Sequence, residues 1–164
     1  MYKKNDYLVY KKDVCKVKEI KKNKLNGLDY YILVPIDDES LIIDVPTDNR
    51  MGYIKDIITK EEAEKLINSI PQIEPLSNIE DKYIENRYKN LLYNGTREDL
   101  IRIIKTTYLR NEERTKNKKR ISDKDFNYFN KAEKYLYNEL SIALNMSFDE
   151  TKDYIISKVK ELIV

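Results

Sequence analysis

The 164-residue chain carries 31 lysines and arginines against 29 acids, a formal charge of +2. It is 41% hydrophobic and 37% charged, a balance that suits one folded domain or two small ones. It has no histidine and one cysteine, Cys15, which excludes an intrachain disulfide, a thiolate metal cluster and the commonest nucleophile, metal-ligand and neutral-pH base arrangements.

The opening MYKKNDYLVYKK lacks the apolar stretch of a secretion signal, and no later run is long enough to span a bilayer. A cytoplasmic protein with no membrane partner is therefore expected. The first third reads as short strands. Tyr7–Tyr10 is one, and Cys15–Ile20 is a second in which Cys15, Val17 and Glu19 alternate with lysines. Asn26-Gly27 is a hairpin signal, followed by Tyr30–Val34. The polar turn Asp37–Ser40 precedes Leu41–Val45. Short strands at this spacing predict a small twisted barrel rather than a parallel sheet with crossover helices.

After Met51–Ile54 the periodicity changes. Thr59-Lys60-Glu61-Glu62 has capping-box spacing and opens a short helix through Leu66 and Ile67. Pro71 and Pro75 bracket the expected boundary, giving a domain over residues 1–70, a connection over 71–76 and a helical domain over 77–164. Ser77–Glu80 reads as the start of a helix that stops at Asn94-Gly95, where glycine suits a left-handed C-terminal position. Thr96–Asp99 opens the next helix, with Leu100, Ile103, Ile104 and Tyr108. The run Asn111–Arg120 reads as its frayed end plus a basic loop. Ser122 caps a long helix whose stripe is Phe126, Phe129, Ala132, Leu136, Leu140 and Ala143, and Ser147–Glu150 opens the last one. The fold class expected is α+β, a small β-barrel followed by an all-α bundle.

Charge is unevenly spread. Thirteen lysines and arginines face six acids between Lys82 and Lys124, and nine lysines face three acids in the first 24 residues. A basic face on the helices would attract phosphate backbone despite the near-neutral whole; a solvated surface is the plain alternative. Asp37, Asp38 and Glu39 read as a solvated turn rather than a metal site, and no phosphate-binding or dinucleotide glycine pattern is present. No enzyme, cofactor or metal is expected.

Two stretches resemble the CarD/CdnL family of bacterial transcription regulators, the first also resembling the polymerase-interacting domain of the transcription-repair coupling factor. Asp6–Tyr10, Asn26-Gly27 with Tyr30–Leu33, Ile43-Asp44-Val45-Pro46 and Asp48-Asn49 resemble the first module. Asn86–Lys89 ahead of Asn94-Gly95, Tyr108-Leu109-Arg110, Ser122, Ala132-Glu133, Leu136 and Glu139-Leu140 resemble the second.

The resemblance implies a Tudor-like, SH3-like barrel that grips the RNA polymerase β subunit. It also implies a helical domain that contacts double-stranded promoter DNA near the upstream edge of the melted region and modulates open-complex stability. A nucleoid-associated monomer is expected. Arg87, Lys89, Arg110 and Lys124 are the expected DNA-backbone contacts, with Lys118, Lys119 and Arg120 as a second tier. Ile84 stands where family members place a wedge tryptophan, and Tyr83 is its aromatic neighbour. The polymerase contacts fall on Lys22, Asn23 and Lys24 and on the strand Ile42, Ile43, Asp44 and Val45, where Asp44 replaces a common arginine. Two other readings stand beside this one: a protein-binding adaptor without DNA contact, and a stand-alone nucleic-acid module.

Overall fold

The computed structural model describes all residues except 23–25 and 164. Two compact units divide the chain, residues 1–58 and 59–164. The expected order holds: a curled five-stranded antiparallel sheet, a half-barrel, precedes a five-helix bundle.

The sheet contains β1 (Tyr7–Tyr10), β2 (Asp13–Lys22), β3 (Asp29–Pro35), β4 (Ile43–Pro46) and β5 (Ile54–Lys55), in spatial order β4-β3-β2-β1-β5. Alternation aims Leu8, Cys15, Val17, Tyr31, Leu33, Val45 and Ile54 into one core, against which Tyr2, Tyr10 and Ile43 pack. A bulge between Val17 and Glu19 shifts the β2–β3 register, and such an extra residue bends a strand and increases its twist. Cys15 is a core residue: burial, reinforced by the charges of Asp13 and Asp37, pushes its thiol up to about 12. β5 was not anticipated. It is two residues long, and Asn49 stands in for a neighbouring strand: its side-chain oxygen accepts from Ile54 N–H and its amide donates to Ile54 C=O, both at 3.0 Å.

The helices are α1 (Lys60–Ser69), α2 (Asp81–Asn94), α3 (Arg97–Lys116), α4 (Asp123–Leu144) and α5 (Phe148–Ile163), with a 3-10 turn over Ile70–Gln72. α1, expected to close the first domain, packs instead on α4 and α5, so the division between units falls after Ile58 rather than at Pro71. The 3-10 turn is fastened to α3 by Lys105, whose ammonium donates to the carbonyls of Ile70 and Ile73. Thr106 Oγ1 accepts from Leu76 N–H at 2.9 Å, which holds the following segment on the same helix.

The capping residues at Thr59, Thr96, Ser122 and Ser147 each accept a backbone N–H three residues on. At Thr96 the box is complete, because Asp99 accepts from the Thr96 N–H. The cap expected at Ser77 is not used: Asn78 is left-handed (φ 58°) and α2 starts at Asp81. Gly95 is not left-handed either, with φ −89°. Glycine is required there by space, since an added Cβ would strike the Leu91 carbonyl and lie 2.7 Å from Asp99 Oδ2.

Candidate nucleic-acid and protein interfaces

The stripe expected on α4 is displaced by one residue at its start. Phe126 is exposed and Asp125 is fully buried. A buried carboxylate persists only when paired, and two groups answer this one. Tyr88 on α2 donates its hydroxyl to Oδ1 (3.0 Å) and Arg110 on α3 donates Nε to Oδ2 (2.9 Å), while the backbone N–H of Asp125 separately donates to the capping Ser122 Oγ. Arg110 also donates Nη2 to Asp81 Oδ1 at 3.1 Å. Arg110 thus ties three helices together, and two of its five N–H donors are committed before any phosphate arrives.

The other expected backbone contacts do not form one face. Arg87 and Lys89 are two residues apart, about 200° around the α2 axis. Lys89 joins Glu85 (3.6 Å), which also meets Lys124 of α4 (3.3 Å). Hydrogen bonding from Lys124, with the charges of both lysines, holds the Glu85 carboxyl below its ordinary range despite some desolvation. Arg87 lies on the opposite flank, exposed and without an ion-pair partner among the described residues.

That flank is shared with Tyr83, one turn earlier, which is 56% exposed and has the Lys82 ammonium 4.9 Å from its ring centroid. Ile84 is 3% exposed and sits in the core with Tyr88 and Leu91, so of the two residues named as a wedge only Tyr83 has free surface.

The run read as a frayed helix end plus a basic loop is helical through Lys116. α3 continues to Lys116, held by Lys116–Glu112 and by Asn117 donating to Glu113. It ends in a Schellman arrangement: Lys118 is left-handed (φ 58°), Lys118 N–H bonds the Thr115 carbonyl, and Lys119 N–H bonds the Arg114 carbonyl at 2.8 Å. Lys118 and Lys119 are exposed with no ion-pair partner among the described residues, whereas Arg120 reaches Asp123 at 3.7 Å. Sequence reasoning missed Arg114. With Arg110, Asn117, Lys119 and Asp81 it lines an open groove of about 430 Å³. An apolar hollow of about 420 Å³ lies among Tyr108, Ile121, Phe126 and Phe129.

In the sheet unit, β4 is an edge strand, paired among the described residues with β3 alone. Ile42 precedes it and is 55% exposed, Ile43 is half-buried, Asp44 is exposed and Val45 is core. Lys22 is exposed at the end of β2, while Asn23 and Lys24 lie outside the described residues. Among the described residues no group of three or more His, Cys, Asp or Glu side chains could hold a metal ion, and no helix is long and apolar enough to cross a membrane. No protein-family model matches the chain, and no curated protein matches it.

Proposed function

We propose that the chain is a transcription regulator of the CarD/CdnL type, one that holds the RNA polymerase β subunit through its sheet unit and promoter DNA through its helical unit. The observation that carries this reading is a pairing of two surfaces on one chain. A small curled sheet offers an open edge strand, and a helical bundle offers an exposed tyrosine beside an arginine on α2 that has no ion-pair partner among the described residues.

Under this reading Tyr83 takes the wedge role, stacking on bases that become available at the junction with melted DNA, and Arg87 meets the adjacent phosphate. Contacts available only to the open promoter shift the closed–open equilibrium, because a ligand moves an equilibrium by its differential affinity for the two states. Sequence need not be read for this effect.

The test is capture of the polymerase β subunit by the intact protein, paired with open-complex lifetime. Tyr83→Ala is expected to shorten the lifetime roughly fivefold, about 1 kcal/mol of lost stacking, while capture is retained. A wild-type protein that fails to capture the β subunit overturns the reading.

The adaptor without DNA contact keeps one observation in its favour. Lys89, Lys124, Arg110 and Arg120 each already face a carboxylate. Under the adaptor reading, Tyr83→Ala leaves open-complex lifetime unchanged and duplex DNA does not alter capture of the protein partner.

A further inference from the structure

The end of α3 gathers positive charge on one flank. Arg110 and Arg114 are one turn apart and share a helix face. The Schellman turn then folds the chain back, with Lys119 N–H on the Arg114 carbonyl at 2.8 Å, which returns a lysine to the same arginine. All three side chains line the open groove of about 430 Å³. The carbonyls of Glu113, Arg114 and Thr115 accept from the N–H groups of residues 117–119, which blunts the negative end of the helix dipole there.

Arg114 is the unspent member of this group. It is half-buried, yet its side chain has no ion pair and no hydrogen bond among the described residues. Arg110 keeps three of its five N–H donors after serving Asp125 and Asp81. Guanidinium forks beside an ammonium are the donor set that suits a phosphate group. The other walls favour a ligand larger than phosphate itself. Leu109, 50% exposed, offers an apolar shelf. Asp81 and Glu113 each hold one donor already, from Arg110 at 3.1 Å and from Asn117 at 3.2 Å. Such carboxylates repel a continuous phosphate backbone and accept from hydroxyl or amino groups. The volume falls in the range of small-molecule sites.

We infer that the groove at the end of α3 is a binding site for a nucleoside phosphate. The phosphate meets Arg114, Lys119 and the unspent N–H groups of Arg110. The nucleoside lies on Leu109 with its hydroxyl and amino groups toward Asp81 and Glu113. The site stands on the groove's own donors and acceptors and does not rest on the function proposed above.

Calorimetric titration of the full-length protein with ADP, GDP and inorganic phosphate tests the site, with backbone amide shifts read at Leu109, Arg114 and Lys119. At least one diphosphate is expected to bind saturably and to move these signals at concentrations where inorganic phosphate does not. Arg114→Ala and Lys119→Ala should each weaken it about tenfold, the scale of one hydrogen bond to a charged group, with the thermal transition retained. Leu109→Ala should weaken the diphosphate and leave the response to inorganic phosphate as it was. Lys116→Ala removes a charge from the same turn, from a side chain that pairs with Glu112 and does not line the groove, and should leave affinity unchanged. Equal response to the diphosphates and to inorganic phosphate, or to none of them, overturns the inference. So does unchanged affinity in folded Arg114→Ala, or an equal loss in Lys116→Ala, which would mean diffuse charge alone. Signals that move with duplex DNA and not with nucleotides would assign the groove to the DNA face and overturn it as well.

Discussion

Asp125 has no surface of its own, and its burial orders the bundle's polar interior. Tyr88 and Arg110 both spend donors on it, from two different helices. Removing Arg110 leaves a buried carboxylate with a single strong donor, whereas removing Asp125 leaves a guanidinium that can still reach Asp81 and water. Arg110→Ala is therefore expected to cost about 3 kcal/mol, at the lower end for a broken buried pair, and more than Asp125→Asn, as read by urea unfolding. An Arg110→Ala variant as stable as wild type would mean that the pair contributes nothing to the fold. A second buried acid, Glu133 on α4, behaves differently. Burial pushes its carboxyl above the ordinary glutamate range, and Lys152 on α5, 3.5 Å away, pulls it back only in part. The folded state thus binds this proton more tightly than the unfolded chain. Its contribution is fully present below the unfolded value and is lost as pH rises through the raised folded value. Glu133→Gln should accordingly remove that decline from the stability–pH curve, with the largest gain over wild type above the raised value. A curve of the same shape would exclude the residue as its source.

Among the elements, capping chemistry was the most legible signal, since a hydroxyl three residues before a carboxylate satisfies orphan N–H groups locally whatever the tertiary fold. Thr59, Thr96, Ser122 and Ser147 all cap as read. Ser77 has the same pattern and fails, because the chain turns through a left-handed Asn78 and Leu76 is held by Thr106, a contact 30 residues distant that no local rule contains. The length of α3 was hidden for a related reason. Its last two turns have no apolar stripe and are kept helical by Lys116–Glu112 and side-chain bonds to the turn before. β5 was invisible because an asparagine side chain replaces a strand, and the phase of α4 because a buried aspartate reads as surface. The candidate sites were legible as residue types but not as faces: Arg87 and Lys89 are near in sequence and on opposite flanks. Gly95 shows the same limit. It was read as a left-handed stop, and its φ suits any residue. Gly95→Ala is nonetheless expected to destabilise by about 1–3 kcal/mol, the range for overpacking, because the Leu91 carbonyl and Asp99 carboxylate occupy the space. A neutral result in thermal unfolding would show that the α2–α3 corner can open at no cost.

For the whole molecule, the cations left without a carboxylate set how steeply the proposed DNA contact depends on salt. Of the basic residues from Lys82 to Lys124, Arg87, Arg114, Lys118 and Lys119 have no carboxylate partner among the described residues, while Lys89, Arg110, Arg120 and Lys124 do. Each phosphate neutralised contributes about 0.9 to the slope of log affinity against log salt. Four free cations engaged together would give a slope between roughly −3 and −4, and a full set of eight would give about −7. The shallow value is expected, since an ion pair that must open before it can meet a phosphate recovers little. Arg87→Ala should make the slope shallower by about 0.9, and Lys89→Ala should change it by much less, as its amine is already held by Glu85. Measured on duplex promoter DNA with the intact protein, a slope near −7 would mean that the carboxylates yield to DNA. A slope near zero would remove the helical unit from DNA contact and leave the sheet edge as the molecule's working surface.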